Sequence, residues 1–257
     1  MSVPSNVVSM YDPQIPVDQS IYEESTTAKT KVGTRLRVGE RTYFYAKAAT
    51  NLTAANIYCA PNHVATRERG ATNTAWIVGS GTNLANALTV TMGTDVAANL
   101  FAEGYLVTAS QALAGGGLMF KIKAHGSIGS GTSGVITLYD NIPVSTVAAQ
   151  PINFVQNQFS NVILGSQVID MPVGVAPIAV TASNYCWLQT WGPCPMRHSA
   201  ASAVAGIISM GTLGQAVVNF DATTNSGLAA TSLPIGKNAG LVATATQCNP
   251  VFLMLTP

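Results

Sequence analysis

Charge is what this sequence has least of. Acidic and basic side chains make up 9% of its 257 residues, against about a quarter in an average soluble domain. Between positions 126 and 257 the charged side chains are Asp140, Asp170, Arg197, Asp221 and Lys237. A freely dissolved enzyme keeps roughly 25–35% of its surface charged. A chain this neutral is expected to commit much of its surface to protein partners. Charged groups are depleted at the centres of such contacts, and neutral polar groups lose less on leaving water. The net charge of +1 leaves no global attraction to nucleic acid or to acidic membrane.

Other shortages narrow the chemistry. The four cysteines, Cys59, Cys186, Cys194 and Cys248, are too sparse for a disulfide framework and are expected as reduced, small apolar residues. Cys186, Cys194 and His198 are spaced Cys-x7-Cys-x3-His, and Cys59 with His63 gives Cys-x3-His. Together they would make a tetrahedral zinc set only if the two segments met. Neither spacing is a compact knuckle and Pro193 and Pro195 stiffen the second, so no metal site is expected. The three histidines, His63, His125 and His198, have no sequence-adjacent carboxylate but Glu68, and Glu23-Glu24 is the one adjacent acidic pair. No Gly-x-Ser-x-Gly elbow and no phosphate-loop motif occurs. Gly129, Gly131 and Gly134 satisfy a dinucleotide pattern, but they run into a strand-forming stretch, Val135 to Tyr139. A pyrophosphate site requires a helix there. The expectation is no enzyme, no cofactor and no small-molecule substrate.

Membrane insertion is not expected either. The uncharged stretch 141–169 is long enough to span a bilayer, but Pro143, Pro151, Asn153, Gln156, Asn157, Gln158 and Asn161 would each need costly burial in lipid. The first twenty residues hold no Lys or Arg, and Pro4, Asp12, Pro13, Pro16 and Asp18 break any apolar run, so no secretory signal is expected.

What is present is β-structure punctuated by glycine. Val32 to Val38 alternates small apolar with polar residues, Gly39-Glu40 makes a turn, and Arg41 to Ala46 forms an aromatic second run. This reads as a β-hairpin with Leu36 and Val38 on one face and Arg35 and Arg37 on the other. Strands are expected over 75–79, 87–92, 104–109, 118–124, 135–139, 151–155, 161–164, 173–175, 185–191, 206–210, 216–220, 241–245 and 251–255, with a short helical turn at 96–103 and a loop over 47–62. A small apolar stretch at 200–208 is a further helix candidate. The spacing of strands and Gly-rich turns predicts an all-β, mainly antiparallel fold, with a β-sandwich or barrel-like body over 31–257. Two lobes divided near 141–160 fit that body.

Residues 1–30 read as an extended N-terminal arm, because Pro4, Pro13 and Pro16 oppose helix and Glu23 to Thr30 has no amphipathic period. Met10, Tyr11, Ile15, Val17, Ile21 and Tyr22 suit a strand laid on a partner; a floppy terminus is the alternative. Basic charge gathers just after it, at Lys29, Lys31, Arg35, Arg37, Arg41, Lys47, Arg67 and Arg69. Arg35, Arg37 and Arg41 suit an acidic protein surface or a solvated face better than nucleic acid, which asks for a broader basic field with stacking aromatics. Along Tyr185 to Trp191 strand alternation places Tyr185, Trp187, Gln189 and Trp191 on one side. Large aromatics there fit a sheet-to-sheet core and a subunit contact equally.

Three stretches, Val32 to Ala48, Gly174-Val175-Ala176, and Tyr185 to Pro193, resemble virion structural proteins of tailed bacteriophages, most of all head decoration (cement) proteins. The resemblance spans about residues 30 to 220, its motifs are structural rather than catalytic, and Cys59 and Cys194 are not part of them. It implies a virion component made in the bacterial cytoplasm and bound to the capsid surface, with the major capsid protein and copies of itself, as a homotrimer, for partners. Tyr11, Ile15, Ile21, Tyr22, Arg35, Arg37, Arg41, Trp187 and Trp191 are the interface candidates. A major capsid, tail or fibre subunit and a host-glycan-binding module are the alternatives.

Overall fold

The structure is a computed structural model that describes residues 18–61, 75–77, 85–110, 112–146, 148–165, 171–197, 207–210, 216–218, 234–238 and 248–256. Among these residues there are strands and turns and no helix. In chain order the strands are β1 (Arg35–Val38), β2 (Arg41–Lys47), β3 (Ile57–Cys59), β4 (Ala75–Ile77), β5 (Ala87–Met92), β6 (Tyr105–Thr108), β7 (Met119–His125), β8 (Ser133–Leu138), β9 (Ile152–Val155), β10 (Ile163–Leu164), β11 (Pro172–Val175), β12 (Tyr185–Arg197), β13 (Ile207–Met210), β14 (Ala216–Val218), β15 (Pro234–Asn238) and β16 (Cys248–Met254). Every pairing between them is antiparallel. The all-β expectation holds. The helical turn expected at 96–103 is instead a run of tight turns, in which Leu100, Ala102 and Gly104 donate to carbonyls three residues back. The strand expected at 241–245 and most of 200–208 lie outside the described residues, although 207 and 208 open β13.

The chain forms two compact units, Asn62–Asn157 and the flanking pair Met1–Pro61 with Gln158–Pro257. One boundary between the units falls between 157 and 158. A further boundary between 61 and 62 makes the smaller unit an insertion, not one of two lobes in tandem.

The smaller unit is one sheet, in the order β4-β5-β8-β7-β6-β9, whose end strands β4 and β9 come alongside each other. It therefore curls like a barrel around Leu88, Val90, Ile136, Ile122, Phe120, Leu106 and Phe154. Along β7, Phe120 and Ile122 point in while Met119 and Lys123 are exposed. A bulge between Ile122 and Ala124 shifts the phase by one residue and turns His125 inward. The segment with Gly129, Gly131 and Gly134 closes a turn, with Thr132 N–H donating to Gly129 O at 3.1 Å, and continues as β8.

The larger unit has the order β10-β3-β11-β12-β16-β15-β13-β14, with β2 also on β12 and β1 on β2. Strand β12 is its spine, and both faces of its first half are buried. Cys186 and Leu188 pack with Ala46, Tyr58 and Val173, while Trp187 packs with Leu36, Tyr43 and Tyr45. Farther along, Cys194 and Met196 meet Ile57, Val175, Val251 and Leu253. The strand survives Pro193 and Pro195 because their nitrogens point away from β16. Arg197, at the next position of the same parity, sends its N–H to Ala55 O at 2.9 Å. The pairing with β2 slips between Gln189 and Trp191. The Gln189 side chain closes the irregularity by donating to the carbonyls of Trp191 (3.1 Å) and Pro193 (2.8 Å).

The described part of the expected arm lies on its own body. Gln19 is buried; its amide donates to Glu23 O at 2.8 Å and Tyr185 O at 3.0 Å. Its side-chain oxygen accepts the Tyr45 hydroxyl at 2.6 Å, and its backbone carbonyl accepts Trp187 Nε1–H at 3.2 Å. Ser25 and Tyr185 exchange backbone bonds at 3.0 and 2.7 Å. Each of these polar groups would be costly to bury unpaired, so residues 18–30 are integral to the larger unit.

Two glycines separate conformation from space. Gly39, in the β1–β2 turn, has φ +63° and nothing within 4 Å of a hypothetical Cβ. Gly192 has φ +88°, and a Cβ there would sit 2.6 Å from Glu40 O. Gly39→Ala is expected to destabilise by about 1–2 kcal/mol through backbone strain alone. Gly192→Ala adds a collision with backbone and should exceed it by roughly 1–3 kcal/mol. Urea unfolding followed by tryptophan fluorescence checks the order; equal losses would contradict the packing described at β12.

Candidate protein-interaction surface

The structure separates the residues singled out in the sequence. Tyr11 and Ile15 lie outside the described residues. Ile21 packs against the Tyr43–Tyr45–Trp187 cluster, and Tyr22 beside it is exposed. Trp187 is fully buried, edge-on to Tyr45 with ring centres 4.9 Å apart, and its N–H is satisfied by Gln19. It is a core residue, which corrects its reading as an interface candidate: the strand that carries it is covered on both faces.

The three arginines do not form one patch. Leu36 pairs with Tyr43 and Val38 with Arg41, while Arg37 pairs with Thr42 and Arg35 with Phe44. Cross-strand partners share a face, so Arg41 sits on the Tyr43 face and Arg35 and Arg37 on the other. Arg41 lies over the Tyr43 ring at 5.8 Å. Burial opposes its charge, but the Tyr22 hydroxyl, Tyr43 and Glu40 outweigh burial and hold its pKa above the ordinary arginine value. Tyr22 and Arg41 thus belong together, on the side of the sheet that residues 18–30 cover.

The opposite side is covered at Phe44 and Leu188, where Phe44 stacks on Phe159 with ring centres 4.7 Å apart, and is exposed from Trp191 onward. In register across four strands run Arg37, Thr42, Trp191 and Met254. The next rows pair Pro193 with Phe252, Pro195 with Pro250, and Arg197 with Cys248, and Phe252 pairs onward with Lys237. Pro193, Pro195, Cys248, Pro250, Phe252 and Met254 are exposed and Trp191 is half-buried. Phe252 keeps 37% and Met254 52% of its surface in water, and the Trp191 and Phe252 rings meet edge-on at 5.8 Å. Strand β16 buries Asn249, Val251 and Leu253 inside and still presents apolar residues outside, where an ordinary one-sided sheet presents polar ones. Sequence reasoning found Trp191 and Arg37 but missed Phe252, Met254 and the prolines. The run Pro250 to Leu255 is apolar throughout, so alternation gave no sign of which side chains face out.

The groups read for chemistry are otherwise engaged. Cys186 lies on one face of the sheet and Cys59 and Cys194 on the other, and burial pushes the Cys186 and Cys194 thiols up to about 12. His63 and His198 lie outside the described residues, and among the described residues no three metal-ligating side chains converge. No helix among them is long and apolar enough to cross a membrane.

His125 is committed on all sides. Its backbone N–H donates to Asn99 Oδ1 at 3.0 Å and its carbonyl accepts Asn99 N–H at 3.1 Å. Ring Nε2 accepts Phe101 N–H at 3.1 Å, while Nδ1 lies 2.7 Å from Gly126 O. An amide only donates and a carbonyl only accepts, so the fold requires the neutral ring with its proton on Nδ1. Burial lowers its pKa, and the Gly126 bond only partly offsets this. The unfolded chain then binds a proton more readily than the folded one. Stability is full above the ordinary imidazole value of about 6.5 and is lost as pH falls from there through the lower value of the buried ring. His125→Gln, whose amide can accept from Phe101 and donate to Gly126, is expected to remove the larger part of the loss seen between about pH 7 and pH 5. Urea unfolding across that range checks this; the same pH dependence in the variant would contradict it.

The chain matches no protein-family model, no curated protein and no solved structure. The resemblance to virion proteins accordingly rests on the three sequence stretches alone.

Proposed function

We propose that this chain is a structural virion protein, a decoration (cement) protein that binds the outside of a phage head and stabilises it through protein–protein contacts. The observation that carries the reading is the outward apolar ladder of Trp191, Pro193, Phe252, Met254 and Pro250. It lies on a chain with too few charges to keep such a face soluble without a cover. Self-association into a homotrimer belongs to the same reading, with many symmetry-related contacts adding avidity on a repetitive shell. The glycan-binding alternative asks for free aromatic platforms. Trp187 is buried and Trp191 is edge-packed on Phe252, so the ladder favours a protein partner.

The test is co-sedimentation with heads of the encoding phage produced without this chain. The purified protein should saturate them. Phe252→Ser combined with Met254→Ser, both on the outward face, should fold normally and lower occupancy more than tenfold, since each buried side chain contributes about 1.5–3 kcal/mol. Wild-type protein that ignores heads would overturn the reading.

The arm is tested separately. Removing residues 1–30 would strip Gln19 from Tyr45, Tyr185 and Trp187 and damage the larger unit. Removing residues 1–17 spares those bonds and is expected to lower head occupancy while leaving the unfolding midpoint within experimental error. Unchanged occupancy would count against any role for the arm in binding.

A further inference from the structure

Among the described residues, the strands of the open face of the larger unit carry basic and no acidic side chains. Arg37 adjoins it through its pairing with Thr42, Arg197 through Cys248 and Lys237 through Phe252, while Arg35 lies farther along β1, beside Phe44 and the Phe159 stacked on it. Arg35, Arg37 and Lys237 are exposed and Arg197 is half-buried. Among the described residues no Asp or Glu lies on β1, β2, β12, β15 or β16. The acids nearest in sequence are Glu40, whose backbone abuts Gly192 at one end of the face, and Glu24. Glu40 is in the β1–β2 turn, and Glu24 accepts the Thr181 hydroxyl at 3.1 Å as well as its N–H. The face is an apolar centre of Trp191, Phe252 and Met254 with cations at its margins.

This arrangement bears on the occupant. Two copies meeting through the same face would bring cations against cations with no carboxylate from the described strands between them, and like-charge juxtaposition across an interface is strongly disfavoured. A nucleic acid is a poor fit as well. Phosphate binding calls for a continuous basic groove, whereas here an apolar row with three prolines, which offer no N–H, runs between the cations. What matches is a protein surface with an apolar patch bordered by carboxylates. Arginine favours such carboxylates through its paired N–H donors.

We propose that the face formed by Trp191, Phe252 and Met254 docks on a different protein whose contact surface is apolar at its centre and acidic at its rim. The inference rests on the head-binding reading and specifies the chemistry of the shell surface. The rim cations steer and register the encounter, while the central ladder supplies most of the affinity. Rim contacts are weak singly, so their signature is the association rate and its dependence on salt.

The experiment is binding of the full-length protein to heads lacking it, with rates followed by light scattering at several salt concentrations. Arg37→Glu and Lys237→Glu are outward substitutions, expected to leave the unfolding midpoint unchanged. Together they should slow association roughly tenfold at low salt, with the difference shrinking as salt rises. Arg37→Lys should retain most of the wild-type rate, since it keeps the charge. Heads that bind wild type and the double variant at equal rates across all salt concentrations would overturn this inference while leaving head binding intact. Wild-type protein that binds no heads would sink the underlying reading first. A double-stranded DNA fragment serves as the competing probe: tight binding of DNA that is lost in the double variant would assign the face to nucleic acid and overturn the proposal.

Discussion

Backbone pairing along β12 is the constraint on which the larger unit depends. In thirteen residues this strand pairs with β2, β11 and β16 and buries both faces over its first half. A strand covered on both sides must carry apolar side chains at successive positions, and Cys186, Trp187 and Leu188 do so. It must also bend to pass from the β2 pairing to the β16 pairing. The slip at Gln189, the left-handed Gly192 and the bridging Gln189 amide make that bend. Past it, burial alternates again, and the outward positions Trp191, Pro193 and Pro195 become the open face. Bend and surface are therefore consequences of one another.

The second constraint is polar. Residues 18–30 cover Tyr45, Tyr185 and Trp187 through hydrogen bonds that link Gln19, Ser25 and Lys29 to their hydroxyl, backbone and indole groups. An apolar residue at position 19 would keep the backbone bond to Trp187 but deprive the Tyr45 hydroxyl of its acceptor, a loss of about 1–3 kcal/mol. That covering assigns the two faces different roles. The Tyr43 face is closed within the chain, and on the other face the stretch from Trp191 onward stays exposed.

Much of the fold was legible because its signals are local. Gly39 between two alternating runs gave the β1–β2 hairpin, and strands such as β5 and β7 showed their alternation openly. What was hidden is set by distant pairing. Ile57-Tyr58-Cys59 sits in a stretch that reads as loop, and becomes β3 because β10 and β11 flank it. Pro234 to Asn238 has poor strand propensity and is made a strand by β13 and β16. Pro193 and Pro195 read as the end of a strand, yet β12 continues because their missing donors fall on the side away from β16. The boundary at 61 carries no change of composition, so the insertion could not be seen. The candidate surface was half legible: Arg37 and Trp191 stood out by type, but a uniformly apolar β16 gives no phase, and Trp187 is placed inside by distant packing against Leu36, Tyr43 and Tyr45 and by the backbone carbonyl of Gln19.

The account stands on the face of Trp191, Phe252 and Met254 being covered when the protein is at work. Cys248 lies at the end of that face, opposite Arg197, and is exposed in the free chain. Its alkylation rate, measured by intact mass on free protein and on protein bound to heads, reports the cover without any substitution. The account predicts that binding slows modification of Cys248 by roughly tenfold or more, as expected when a local opening of at least about 1.4 kcal/mol must precede reaction. An equal rate in the two states would contradict it.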